Sequence, residues 1–488
     1  MSLKFAGSLA LALLVTSTAL SQDTPTEPLG GKPASDAQPS FADFDSFHDR
    51  VLYHRAFEAV LWSMPLITNY GFHLGAKAVG AKDNTILAFS GPATPLFEAL
   101  TPNNATPYII SQANLTNGAV VMRVPAATDK ASLFGQIVDH QFFAIADIGP
   151  IGVDAGKGAT LLFTPPGYDG DIPDGMTQVK SGSFRIDMVL RAVPTPDGTE
   201  DDAYALAQQI QMNFLSEEPN PNPTVFIDPV EMRMPTLARY DERWFEDLYA
   251  IINLENAQPR DKVMLGMLKT LGIEKGQPYA PDDKTKAIFR QAAIDAYHYM
   301  QHQFTEVRDG ELWWEDRRWR NVFFSDANKG FQWETDNYLD YETRATRPWF
   351  SATYFPSKVA DKPATMYIAT MRDGNGDLLE AGATYSLTVP KDVPVDQFWS
   401  LTIYDRDTWA FIYAPEMLPG LSSRDIEKMT ANDDGGVTLY FGPEAPEGLE
   451  ANWIPTAGKA PYAMFRFYGP QDSFYDKSFK LADIAKAD

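Results

Sequence analysis

The sequence predicts a multidomain, mainly β protein with a helical insert. Three observations carry this expectation. The chain has 488 residues, more than a single core of about 150 residues accounts for. Two stretches, 86–192 and from about 365 onward, consist of short apolar runs punctuated by Gly, Pro, Asn and Asp. That texture is the one left by a β-sandwich or barrel. Between them lie longer stretches whose apolar residues recur every three and four positions, the period of a helix. With 44% hydrophobic and 22% charged residues, the chain has the composition of a folded globule rather than a disordered one. No solenoid-type repeat is present.

The elements follow in order. Lys4, the apolar run Phe5–Leu20 and the small residues Ala19 and Ser21 read as a signal peptide over 1–21. Its apolar run is short against the roughly 20 residues of a membrane span. Cleavage would send the chain to the periplasm or outside the cell and leave no stable membrane insertion. Residues 22–42, rich in Pro, Gly, Ser and acids, read as a flexible linker. Phe47, Val51, His54, Phe57 and Leu61 then recur at helical spacing up to Leu66 and open an N-terminal domain over 43–195. Its β part contains runs such as "GAVVMRVP", "ATLLFTPPGY" and "SFRIDMVLRAV". A helical middle region over 196–350 starts with "DDAYALAQQIQMNFL". Its last long helix is expected to begin at Asp282 and Asp283, acids suited to a helix start. Residues 311–350 read as irregular packing. A C-terminal β domain over 351–488 includes "TYSLTVP", "QFWSLTIYD", "GVTLYFGP" and "APYAMFRFYGP". In the second of these, period-two alternation places Phe398, Ser400, Thr402 and Tyr404 on one side. Trp399, Leu401, Ile403 and Asp405 fall on the other, with Trp399 in the core.

Charge and composition exclude several function classes. The 41 basic and 65 acidic residues leave a net charge of −24, which repels phosphate backbones and argues against a nucleic-acid partner. With no cysteine, disulfides, thiolate metal sites, iron–sulfur clusters and cysteine nucleophiles are ruled out. No cofactor and no metal site is expected. There is no G-x-S-x-G and no G-x-G-x-x-G. Gly152–Thr160 lacks the spacing of a phosphate loop and falls between strands. His298, His302 and Glu306 share one helical face, but no fourth ligand is evident, so they read as a polar stripe. Asp373, Asn375 and Asp377, like Asn432–Gly436, read as tight turns before strands. Asp139 and His140 are adjacent on a strand and face apart. Asp405 and Asp407 share a face, as two carboxyls of a glycosidase must, yet they sit where a strand ends and charge is usually solvated. Arg185, Arg191 and Arg466 lie inside apolar strands. Each needs an acceptor there, as half of a structural pair or as an anion clamp.

Several phrases resemble known families. "LTPNNATPYIISQANL", "GKGATLLFTPPGYDGDIPDG" and "VLRAV" resemble the domain-of-unknown-function family numbered twelve-fifty-four. "TYSLTVP", "VDQFWSLTIYD", "LSSRD", "VTLYFGPEAP", "NWIPT" and "FRFYGP" resemble its tandem partner, numbered twelve-fourteen. The resemblance implies an immunoglobulin-like sandwich, a helical middle and a jelly-roll-like C-terminal domain. It implies no reaction. Asn103, Asn104, Thr106 and Tyr108 match the first signature, with Ala105 where that family often has Asp. Tyr341 and Arg344 match a Tyr-x-x-Arg segment. Trp399, Tyr404, Asp405, Asn452, Trp453 and Arg466 match positions of the second family, and Gly436 stands where it often has Ser.

The reading these residues support best is binding or processing of a small polar molecule or glycan fragment where the β domains meet, since clefts favour domain junctions. Arg344 and Arg466 would hold an anionic or hydroxylated group, Tyr341 and Tyr404 would stack or hydrogen-bond, and Asp405 would be the acid or base of any chemistry. Asn103, Asn104 and Tyr108 complete the candidate binding set. Two alternatives stand beside it. One is a non-catalytic β-domain module for self-assembly, as a homo-oligomer, or for envelope interaction. The other is a metal-dependent hydrolase built on His298 and His302. Whether the protein is an enzyme is left open by the sequence.

Overall fold

The computed structural model describes residues 25–487 apart from 35–36, 38, 41–43, 45, 308–310, 324–330, 353 and 358–359. The signal peptide expected over 1–21 lies outside the described residues, as do the first residues of the arm that follows it. The protein is a multidomain, β-rich structure with a helical layer, in the expected β–α–β order.

The first β unit is a sandwich. Its larger sheet runs in the order Phe226–Ile227, Ile86–Ala88, Tyr108–Asn114, Arg185–Pro194, Ala131–Asp139, Ala144–Ile148. Its smaller sheet runs Gln211–Phe214, Val120–Val124, Ala159–Thr164, Thr177–Lys180. Val120, Ile137, Leu161, Phe163, Met188 and Leu190 fill the space between them. The second β unit repeats the plan. One sheet runs Arg320–Asn321, Thr365–Thr370, Pro461–Pro470, Val395–Asp405, Gly420–Ser422. The other runs Trp453–Pro455, Val437–Gly442, Tyr385–Val389, Ala485–Lys486. Trp399, Leu401, Ile403, Leu439 and Phe465 form that core.

The third core is where the units meet. It gathers helix α1 (Phe47–Ala78), α3 (Arg243–Leu254), α4 (Lys262–Lys269), α5 (Asp283–His302) and α6 (Tyr341–Phe350) with the outer faces of the larger sheets. Helix α2 (Glu200–Ala207) packs on the first sandwich instead, and the short α7 (Asp472–Tyr475) sends Phe474 into the second. Period-two alternation explains how one strand serves two cores. On Arg185–Pro194, Ile186, Met188 and Leu190 point into the sandwich while Val189 joins the central core. On Val395–Asp405, Trp399, Leu401 and Ile403 point inward and Tyr404 points to the centre. The faces assigned from sequence are those observed.

Three segments differ from the sequence reading. Helix α1 does not stop near Leu66; it passes Pro65 and ends at Ala78. Ala59–Asn69 are buried without a break, so no polar stripe marks the helix and its apolar period fades. The helix expected over Asp201–Leu215 ends at Ala207, after a capping box of Thr199 and Asp202. Gln211–Phe214 are instead a strand paired with Val120–Val124. The edge of the smaller sheet overrides their helical spacing. Within 311–350, Trp314 and Trp319 enter the C-terminal core and Tyr341–Phe350 are helical. The described part of the arm expected to be a flexible linker is tied to the body. Gly31 N donates to Ala238 O at 2.8 Å, Leu29 N to Glu98 Oε2 at 2.9 Å, and Lys459 Nζ to Glu27 Oε1 at 2.7 Å. Helix α5 starts where expected, with Asp282 accepting from Thr285 N at 2.8 Å.

Helix α1 approaches the backbone of residue 236 so closely that a Cβ on Gly71 would lie 2.0 Å from Thr236 O. Gly71→Ala gains helix propensity of about 1 kcal/mol, but the forced backbone shift costs more, about 1–3 kcal/mol. The expected outcome is a lower melting temperature, read by calorimetry, with no change of fold by circular dichroism. Among the described residues no helix is long and apolar enough to cross a membrane.

Candidate functional site

The segment Thr101–Tyr108 leads into the strand Tyr108–Asn114 of the first unit and lies against the second unit. Its backbone and side chains are tied across the junction. Asn103 Oδ1 accepts from Ala105 N at 2.7 Å, which folds the turn, and its Nδ2 donates to Tyr468 Oη at 2.7 Å. Asn104 Oδ1 accepts from Thr402 Oγ1 at 2.9 Å. Pro102 O accepts from Tyr404 Oη at 2.6 Å. Tyr108 Oη accepts from Asn103 N at 2.7 Å. An Asn pair ahead of Thr-Pro is ordinary turn chemistry; here the turn is also the clamp between the units.

Beside this clamp lies a cavity of about 300 Å³. The first unit contributes Tyr108, Val189 and Arg191, α1 contributes Phe72, the segment after α6 contributes Tyr354, and the second unit contributes Tyr367, Met464 and Arg466. Register brings the charged and aromatic groups together. Tyr108 pairs with Arg191, and Tyr367 with Arg466, so each arginine shares a face with its tyrosine. The Arg191 guanidinium lies 3.3 Å from the Tyr108 ring centre and donates to Thr106 O at 2.7 Å. Arg466 is 2% exposed. Its Nη1 donates to Thr402 Oγ1 at 2.9 Å and its Nη2 to Tyr404 Oη at 2.6 Å, and its Nε finds no acceptor. Among the described residues neither arginine has a carboxylate within ion-pair distance, in contrast to Arg123, Arg233 and Arg239. Burial pushes the Tyr404 phenol up to about 12, against the pull of Arg466, so it is a neutral hydrogen-bonding group at ordinary pH. The cavity mouth is apolar: Phe134 and Ile151 line it and are exposed, Ile151 to 83%.

Of the residues singled out from sequence, Asn103, Asn104, Tyr108, Tyr404 and Arg466 therefore form one cluster. The others lie elsewhere. Asp405 is buried on the opposite face of its strand, where its Oδ1 accepts from Asp407 N at 3.0 Å. Tyr341 donates to Glu58 Oε2 at 2.9 Å on the surface of the helical layer. Arg344 is buried beside Phe143, 4.5 Å from its ring centre, and donates to Gln141 Oε1 at 3.1 Å. Burial, reinforced by Arg260, lowers it to about 10. Arg191 was visible in the sequence only as a buried arginine. The signal that assigns it to the site is its register with Tyr108, which no single strand carries. Tyr354 and Tyr367 carried no signal at all.

A set of buried acids lines the floor between α1 and the first sandwich. Burial pushes Asp187 up to about 7, against the charge of Arg185. Burial likewise raises Asp139 to about 6 and Glu255 to about 7, although each accepts two backbone N–H bonds. Burial and the Arg344 and Arg260 charges push His140 down to about 3. Among the described residues, no group of three or more His, Asp and Glu is arranged to hold a metal ion, and His298 and His302 do not form one.

A family model described as protein of unknown function (DUF1254) matches residues 84–216, and one described as protein of unknown function (DUF1214) matches residues 364–472. The chain carries DUF1254 and DUF1214 in tandem. The clamp just described thus docks the DUF1254 turn Asn103–Tyr108 on Thr402, Tyr404 and Tyr468 of DUF1214. The crystal structure of the VPA0106 protein from Vibrio parahaemolyticus is similar in fold. It has a TM-score of 0.50 and 17% identity, over 90% of this chain and 100% of that one. An uncharacterised protein from Burkholderia cenocepacia matches over 89% of this chain and 94% of its own, with a TM-score of 0.39 and 11% identity. No curated protein matches the sequence.

Proposed function

We propose that the protein binds a small organic anion with an apolar or planar body in the cavity between its DUF1254 and DUF1214 units. Within the broader class of small polar molecules and glycan fragments, this favours acidic members. One observation carries the reading: Arg191 and Arg466 line one aromatic cavity, and among the described residues neither has a carboxylate partner. Guanidinium groups bind carboxylates through charge-assisted hydrogen bonds, and a fully buried cation such as Arg466 is normally paired. The rings of Tyr108 and Tyr367 and the exposed lip at Ile151 suit an apolar body. The leader-like N-terminus supports an exported location for this binding.

The test is calorimetric titration of the purified chain with benzoate, hexanoate, glucuronate and, as a neutral arm, glucose. At least one carboxylate is expected to bind one to one, with glucose silent. Arg191→Gln should weaken that binding tenfold or more, since a hydrogen bond to a charged group contributes about 1.5–3 kcal/mol. Equal binding of glucose and the acids, or no effect of Arg191→Gln, would overturn the proposal.

A further inference from the structure

A second cavity, of about 280 Å³, lies among α1, α3, α4 and the turn that follows Ala131–Asp139. Trp62 and Leu66 of α1 and Ile251 of α3 give it an apolar wall. Its polar side is unusual. Asp261 is 4% exposed, and its Oδ2 accepts from Gln141 Nε2 at 2.8 Å while its Oδ1 has no partner. His140 is buried and its Nδ1 has no partner. The Oδ1 of Asn256 is also buried without one. All three residues line the cavity. Buried polar atoms are satisfied in almost all folded proteins, and these three unpartnered atoms all belong to residues that line this one cavity.

The chemistry of those atoms says what the ligand carries. A carboxylate oxygen and an amide oxygen only accept hydrogen bonds, and a neutral imidazole offers one acceptor. His140 is held neutral by its burial and by the nearby Arg344 and Arg260 charges. The ligand must therefore be a donor. Among the described residues no cation hydrogen-bonds these atoms: Lys269 Nζ is 2.8 Å from Glu274 Oε1, Lys275 Nζ donates to Glu255 O at 2.7 Å, Arg260 pairs with Glu334, and Gln141 stands between Arg344 and Asp261, so the Arg344 and Arg260 charges reach Asp261 only through space. An ammonium group has three donors and a charge to match Asp261. An indole face such as that of Trp62 attracts cations, and the net charge of −24 draws them toward the protein.

We propose that this cavity is a binding site for a primary amine with an apolar body, its ammonium bound by Asp261, His140 and Asn256 and its body laid against Trp62 and Leu66. The site is separate from the arginine-lined cavity and stands or falls independently of it.

The test is titration of the full chain with hexylamine and phenethylamine against hexan-1-ol and tetramethylammonium. The amines are expected to bind one to one at least tenfold tighter than the alcohol or the quaternary ion, which lacks N–H donors. Asp261→Asn, which keeps the shape and the bond to Gln141, should weaken amine binding at least tenfold. Asn256→Ala, on the half-buried loop after α3, should weaken it several-fold and keeps the test open should Asp261→Asn fail to fold. Arg191→Gln should leave amine binding unchanged. Amine binding equal to that of the alcohol would mean that the orphaned atoms hold water only, and the proposal fails. It fails equally if both Asp261→Asn and Asn256→Ala bind amine like the parent, or if Arg191→Gln abolishes amine binding.

Discussion

Arg466→Met is expected to weaken organic-anion binding by about a hundredfold or more while changing stability by about 1 kcal/mol at most. The first half follows from removing a desolvated cation that meets the ligand, a loss of the order of 2–5 kcal/mol in buried charged contacts. The second half follows from what the arginine leaves behind. Breaking a buried ion pair costs about 3–5 kcal/mol because it strands the partner's charge. Arg466 has no such partner among the described residues. Thr402 Oγ1 still donates to Asn104 Oδ1, and Tyr404 Oη still donates to Pro102 O. No donor is orphaned, and the burial cost of the guanidinium disappears with it. Methionine fills a similar volume beside Met464 and Tyr367. Chemical denaturation and calorimetric titration of the same variant separate the two effects. A loss of several kcal/mol with ligand affinity intact would make Arg466 a structural keystone and remove it from the site.

Stability is expected to be higher at mildly acidic pH than above neutrality. Asp139, Asp187 and Glu255 have folded-state values raised by burial to about 6, 7 and 7, against about 4 in an unfolded chain. Between these limits the folded chain holds protons that the unfolded chain has released. Stability from these groups is full below about pH 4 and is lost as pH rises through about 6 to 7. At about 1.4 kcal/mol per unit, Asp187 alone corresponds to up to about 4 kcal/mol. Urea unfolding from pH 5 to pH 8 should show a falling unfolding free energy. Asp187→Asn, which keeps the shape of the side chain, should flatten the profile and exceed the parent in stability at pH 8. His140, lowered to about 3, and His73, lowered to about 4, act the other way below about pH 6.5, so the slope difference between Asp187→Asn and the parent is decisive: a variant with the parent's slope would show that Asp187 is ionised at neutrality.

Much of the local structure was legible before the fold. The strand Val395–Asp405 could be assigned face by face, because a two-residue period needs no partner to be read. The turns at Asp373–Asp377 and Asn432–Gly436 were equally readable, since the Asp373 and Asp434 carboxylates accept backbone N–H bonds within their own turns. Helix α1 past Pro65 was not, because burial on every side erases the stripe that marks a helix. Gln211–Phe214 were not, because the bonds that make them a strand come from Val120–Val124.

The candidate site divides along the same line. The sequence pointed to Asn103, Asn104, Tyr108, Tyr404 and Arg466, through a short signature and through the oddity of charge in an apolar run. It also pointed to Tyr341, Arg344 and Asp405, which the fold sends to other places. A motif carries residue type and spacing, but not which face is covered by an element hundreds of positions away. Alternation, turns and the β–α–β order are local properties and were written in the chain itself. The pairing of Tyr108 with Arg191, their meeting with Arg466 and Tyr367, and the burial that raises Asp187 arise only when two sheet faces and a buried helix close over them. Long-range burial supplies both the cavity and the low-dielectric surroundings that give its charged groups their chemistry.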